Sequence, residues 1–130
     1  MKIKTTTISL VCVAFLVGLG GCSVDADLAA VQAERAKPIQ RSDVMQAIAT
    51  HGTQVAVGTA SGAMITSSDS GKTWVRHELD KPFLASIIDV TSCPDGSFIA
   101  LDFYGRVWNS DAKGDKWTAH KLEAPQTGLT

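Results

Sequence analysis

Beyond residue 40, the side chains whose types could do chemistry are Arg41, Arg76, Arg106, Tyr104, His77, His120, Cys93 and the acidic pair Asp111 and Asp115. A glycosidase for acidic sugars grips the substrate carboxylate with three arginines and pairs a tyrosine nucleophile with a glutamate, beside an acid/base aspartate. No spacing in this chain assembles that set. Arg76 falls on a fourth strand at the outside of its unit, and Tyr104 precedes Gly105 at a turn, where an aromatic serves contact or turn packing. His77 and His120 hold matched places in neighbouring units. Stacked sheets lie about 10 Å apart, too far for two imidazoles to share a zinc ion, so both read as surface histidines. Asp111 and Asp115 lack the ligand-by-ligand pattern of a calcium loop and read as a solvated acidic turn. Cys93 reads as a small packed residue at the end of a first strand, open to pairing only with a cysteine on another unit or chain. The expectation is a chain with no catalytic residue, no cofactor and no metal site.

The elements that carry these residues repeat. From Arg41 onward the sequence matches itself at a gapless offset of 43 residues: Gly62 with Gly105, Ser67 with Ser110, Gly71 with Gly114, Trp74 with Trp117, His77 with His120, Leu79 with Leu122 and Pro82 with Pro125. Apolar slots agree too, Val55 and Ala56 answering to Phe98 and Ile99, and Met64 and Ile65 to Val107 and Trp108. Each repeat divides into four short apolar or alternating runs between turn residues. The first predicts strands over Asp43 to Thr50, Gln54 to Thr59, Ala63 to Ser67 and Thr73 to Glu78. The second predicts Ser86 to Ser92, Ser97 to Asp102, Arg106 to Ser110 and Lys116 to Lys121. A period in the forties with four antiparallel strands per unit is a β-propeller blade, so the fold class is all-β. The units run over residues 41–83 and 84–126, with 127–130 as the start of an incomplete third.

The best-defined local signal is Ser67 to Trp74, of the form Ser-x-Asp-x-Gly-x-Thr-Trp. Asp69 can accept from backbone N–H groups that a tight turn leaves unpaired, and Gly71 can take the positive φ of the corner. Thr73 and Trp74 then open a strand, and full burial of the indole predicts a cost of about 3–5 kcal/mol for Trp74→Ala. The second copy retains Ser110, Gly114 and Trp117, but Ala112 stands in the slot of Asp69 and Asp111 comes one place early. Its corner is expected to be looser, with Asp111 or Asp115 taking over part of the capping.

Residues 1–21 read as an export leader. Lys2 and Lys4 form its basic start and Ile8 to Val17 its apolar core, too short to span a bilayer comfortably. Leu19-Gly20-Gly21-Cys22 resembles a lipobox, in which cleavage leaves Cys22 as a lipidated N-terminus; the alternative is an ordinary secretory leader with an incidental cysteine. Ser23 after the cysteine points to the outer membrane in a diderm host. Residues 22–40 form a tether, either a short helix capped by Asp25 or Asp27 and running through Leu28, Val31 and Lys37 to Pro38, or a disordered linker. Without the leader, 10 Lys and Arg face 13 Asp and Glu, and no basic stripe survives, which argues against nucleic-acid binding. Cys93 is then the one thiol left unassigned, so no internal disulfide framework is expected.

On Ser67, Asp69, Gly71, Thr73, Trp74 and the weaker Ser110, Gly114 and Trp117, the repeats resemble the Asp-box propellers grouped with the photosystem II stability and assembly factor-like family, beside bacterial neuraminidase repeat proteins. The resemblance covers about residues 41–126. It implies a non-catalytic, lipid-anchored scaffold that binds a partner protein, facing the periplasm or the exterior. The competing implication is a piece of a sialidase-like or glycoside-hydrolase-like enzyme with its catalytic residues on other blades. Two blades do not close a ring, which takes four to eight. The expectation is therefore a fragment, a truncated product, or a chain that completes its ring by self-association.

Overall fold

The computed structural model describes residues 27–79, 81 and 84–122. The leader, Cys22 and residues 127–130 lie outside the described residues. Contacts divide the chain into one unit ending at Val31 and another beginning at Gln32. Helix α1, Leu28–Arg35, starts at an Asp27 cap whose Oδ1 accepts from the Ala30 N–H at 3.1 Å. It stops two residues short of the expected Lys37. Pro38 disfavours helical backbone at Lys37, and the Gln40 side-chain amide satisfies the Arg35 carbonyl at 3.0 Å. None of its residues is buried, and among the described residues no helix is long and apolar enough to cross a membrane.

Eight strands follow in two four-stranded antiparallel sheets, each a meander: β1 Met45–His51, β2 Gln54–Thr59, β3 Ala63–Ser67 and β4 Val75–Glu78, then β5 Ile87–Ser92, β6 Phe98–Asp102, β7 Arg106–Ser110 and β8 Trp117–Lys121. The register repeats with the sequence. Ala56 opposes Thr66 and Gly58 opposes Met64 in the first sheet, as Ile99 opposes Asn109 and Leu101 opposes Val107 in the second. Several strands begin later than their apolar runs suggest, because the leading residues are spent on turns. Asp43 accepts from the Gln40 N–H at 2.8 Å, and both the N–H and hydroxyl of Thr73 are bonded to Asp69. Such side-chain bonds compete with the ladder.

The sheets meet through β5, which packs against β1 and β2. Strict alternation in β6 turns Phe98, Ala100 and Asp102 inward. With Ile87, Val90 and Trp108, the apolar members of that set meet Ala56 and Met64 of the first sheet. Gly58 marks the closest approach: a Cβ there would stand 2.4 Å from Cγ2 of Ile87, a space no side chain can occupy unless β5 moves. Small residues on one face thus receive large ones from the other, the interdigitation that dense cores require.

Candidate functional site

The acidic and hydroxyl side chains at the two repeat corners are spent on holding turns. At the first corner, Asp69 Oδ1 accepts from the N–H of Lys72 at 3.0 Å, the N–H of Thr73 at 2.8 Å and the Ser67 hydroxyl at 2.8 Å, while Oδ2 accepts from the Thr73 hydroxyl at 2.6 Å. Ser67 Oγ in turn accepts from Gly71 N–H at 2.8 Å. Gly71 has φ +86°, and Ser70 before it is also positive at +61°. The Thr73 hydroxyl and N–H, with Ser67 and Lys72, hold the Asp69 carboxyl down at about 2. A carboxylate with four donors on it is held ionised and caps the turn. Trp74 is half-buried beside this turn and precedes β4 instead of opening it. Its indole lines an open cavity with Ile65 and Val57, so the expected 3–5 kcal/mol for a fully buried anchor is too large.

At the second corner, Asp111 Oδ1 accepts from the N–H of Asp115 at 2.9 Å and of Lys113 at 3.2 Å. Those bonds, the Asp115 N–H foremost, lower its pKa. Ser110 Oγ accepts from Phe98 N–H at 2.8 Å and donates to the Asp111 carbonyl at 2.7 Å. Gly114 takes φ +73°, and the Trp117 indole N–H donates to its carbonyl at 3.1 Å. Ala112, in the slot of Asp69, contributes only its carbonyl, which accepts from Gln54 Nε2 of the first sheet at 2.9 Å.

Arg76 and Arg106 each serve an aspartate. Arg76 Nη1 reaches both Asp43 oxygens, at 3.0 and 2.8 Å. It stands on β4, the edge strand of its sheet as expected, yet its side chain is only 13 % exposed. The Arg41 N–H binds Glu34 Oε1 at 3.1 Å. His77 is a correction to the surface reading: it is half-buried, with Nε2 2.9 Å from the Thr66 hydroxyl, whereas His120 is exposed. Burial lowers the His77 pKa against the pull of Asp115 and Asp111. A histidine held neutral stabilises the fold fully above the unfolded value of 6.5, and this contribution is lost as pH falls through and below it. Urea midpoints should therefore drop between about pH 7.5 and pH 5.5 in the parent protein and drop less in His77→Gln; equal drops would remove His77 as the cause. Cys93 is half-buried in the β5–β6 turn, its carbonyl accepting from Gly96 N–H at 3.0 Å. Among the described residues, no three His, Cys, Asp or Glu side chains converge as a metal site.

The site that sequence reasoning missed lies under the β6–β7 turn. Asp102, 1 % exposed, receives the N–H groups of Tyr104 at 2.9 Å and Arg106 at 3.0 Å on Oδ1, and Arg106 Nε at 2.7 Å and Trp108 Nε1 at 3.0 Å on Oδ2. Burial alone would raise its pKa, but the Trp108 and Arg106 hydrogen bonds outweigh burial and lower it. The Arg106 guanidinium also stands 5.3 Å from the Trp108 ring centroid. This cluster carries the corner above it. Phe103 and Tyr104 project from that corner 70 % and 67 % exposed, edge to face with centroids 5.7 Å apart. Exposed Leu84 lies close by in the chain path, since Phe103 N–H donates to the Ser86 carbonyl at 2.8 Å. At the same place in the first sheet stand Ala60 and Ser61, where Thr59 caps the turn through its hydroxyl. The turn itself needs no aromatic residue. The offset of 43 residues pairs Thr59 with Asp102, and that substitution was the available signal.

No family model and no curated protein matches this chain. Among solved structures it is similar to YCF48 bound to a D1 peptide, with a TM-score of 0.54 and 18 % identity over 62 % of this chain and 26 % of that one. YCF48 from Cyanidioschyzon merolae aligns with a TM-score of 0.47 and 23 % identity over 55 % of this chain and 22 % of that one. The chain spans about a quarter of the length of these proteins. Two antiparallel four-stranded sheets packed through their first strands, together with the likeness to the first of these structures, give the fold as two consecutive β-propeller blades.

Proposed function

We propose that this chain is a non-catalytic, lipid-anchored propeller-type scaffold of the cell envelope, which holds an apolar protein segment against the Phe103–Tyr104 corner. One observation carries the reading: equivalent turns bear Ala60-Ser61 in one blade and two exposed, edge-to-face rings in the other. Neither ring is needed by the turn, and both stand on a braced base. Large aromatics held rigid at low entropic cost are what protein interfaces use as anchors. The Asp-box resemblance points the same way, and a YCF48 structure carries a D1 peptide, so a protein ligand suits this architecture. The anchor is read from Leu19 to Cys22, and Ser23 supports an outer-membrane destination in a diderm host.

The test replaces Tyr104 with a photo-cross-linking phenylalanine analogue in the producing cells, with Thr118 as an exposed control position. The expected result is one discrete protein adduct at 104, lost on adding Phe103→Ser and missing at 118. No adduct at 104, or the same adduct at both positions, would sink the corner as the docking point. Cys22→Ser should move the protein from the membrane fraction to the soluble one; unchanged fractionation would overturn the anchor.

A further inference from the structure

The stretch between α1 and β1 is pinned against the first blade by hydrogen bonds. The Gln40 side-chain amide donates to the Arg35 carbonyl and its backbone N–H to Asp43 Oδ2, while Arg76 of β4 grips Asp43 and reaches the Pro38 carbonyl at 3.4 Å. Ile39, held in that stretch, joins Met45, Ile48, Val57, Ile65 and Trp74 around an apolar cavity of about 400 Å³. Val57 and Ile65 are buried and form its floor; Ile39, Met45 and Ile48 are exposed and form its rim. A cavity of this size falls at the lower end of the range for small-molecule sites, which are usually preformed.

The cavity has little with which to hold a polar group. Among the described residues that line it, only Gln46 and the Trp74 indole N–H are polar, and Gln46 Oε1 already accepts from the Ser86 hydroxyl at 2.5 Å. Charge is concentrated next door. Trp74 is shared with a second cleft, of about 530 Å³, whose walls bear Arg35, Lys37, Arg76 and Glu78 around Pro38. Lys37 is paired with Glu34 and Arg76 with Asp43, but among the described residues no carboxylate pairs with Arg35. Arg76 also keeps a buried Nε that makes no hydrogen bond, with Glu78 Oε1 3.8 Å away. The cleft therefore has a cation to spare, and the cavity beside it has only hydrocarbon to offer.

We infer that these adjoining hollows bind a fatty carboxylate, its hydrocarbon tail in the Ile48–Ile65 cavity and its carboxylate past Trp74 against Arg35. A wall without free hydrogen-bonding groups suits a plain chain, because nothing on it is left unpaired when water leaves. Burial of the chain supplies affinity, and the charge on the head fixes which way it lies. Arginine suits that head, since its fork of N–H donors matches a carboxylate. The inference goes beyond the scaffold reading and is independent of the aromatic corner.

Equilibrium dialysis against dodecanoate, below its micellar concentration, tests this on the full chain carrying Cys22→Ser, so that no acyl group of its own can occupy the cavity. The expected result is saturable binding of one dodecanoate per chain, with uncharged 1-dodecanol bound more weakly. Ile48→Asp puts a charge on the rim and should abolish binding of both. Arg35→Gln should weaken dodecanoate severalfold and leave dodecanol unchanged, the modest effect of an exposed ion pair. Both positions are exposed, so both variants keep their fold, as circular dichroism will check. Phe103→Ser should change neither ligand. Absence of saturable binding to the folded protein would overturn the inference. Binding that ignores Ile48→Asp, or that is lost with Phe103→Ser, would overturn it too, placing the chain on another surface. Dodecanol bound as tightly as dodecanoate would overturn the assignment of a carboxylate.

Discussion

Asp102→Ala is expected to destabilise the protein by about 3–5 kcal/mol, the range for removing one partner of a buried ion pair. The carboxylate is 1 % exposed and takes four donors: two turn N–H groups, the Arg106 guanidinium and the Trp108 indole. Alanine leaves the indole N–H buried without its acceptor and removes the brace of the Phe103–Tyr104 corner. Asp102→Asn keeps the shape but loses the charge and one acceptor oxygen, so it should fall between the parent and alanine. The pH dependence supplies a separate check. The folded pKa of Asp102 lies below the ordinary 3.8. Its contribution is therefore present above the unfolded value and is lost as pH falls through the folded one. Urea titrations followed by tryptophan fluorescence should show the parent and Asp102→Ala converging as pH is taken down through the acid range. A gap that stays constant to the lowest pH would mean that the alanine cost is packing alone.

The repeat made the fold legible. A gapless offset preserves strand register, and in both blades the second, third and fourth strands pair in the same register because the same slots are apolar. Turn chemistry was legible where one side chain suffices. Asp69 sits two residues after a serine and two before a glycine, and its short carboxylate can reach only the N–H groups of its own corner. What escaped were properties set by the neighbouring sheet. His77 reads as a surface residue because neighbouring sheets stand too far apart for it to share a metal with His120, but β3 offers it the Thr66 hydroxyl. Trp74 reads as core from its size, yet among the described residues no second sheet lies on the face it covers. The Asp102 cluster escaped because an aspartate at the end of a strand ordinarily signals an exposed turn. Only the location of its partners, Arg106 and Trp108, on the next strand and facing inward reveals a buried network.

The second large effect should come from Phe98→Ala, at about 3–5 kcal/mol for a fully buried aromatic. Phe98 is 1 % exposed and belongs to the cluster that joins the two sheets. Its ring lies beside Gly114, where an added Cβ would stand 3.9 Å from two ring carbons and 3.6 Å from Thr66 of the other sheet. The backbone holds it there, since Ser110 Oγ accepts from its N–H. Collapse around the cavity is therefore limited, which places the cost toward the upper end of the range. Val55 provides the internal control: it fills the same repeat slot, is only partly buried and faces no second sheet, so Val55→Ala should cost much less. Fluorescence and far-ultraviolet circular dichroism would follow unfolding in both variants. In a single cooperative unit the two signals stay coincident, because neither blade buries its core without the other. Separate transitions in the parent, or a Phe98→Ala cost no larger than that of Val55→Ala, would mean the blades stand independently. The small-against-large packing between them would then not be what holds the chain folded.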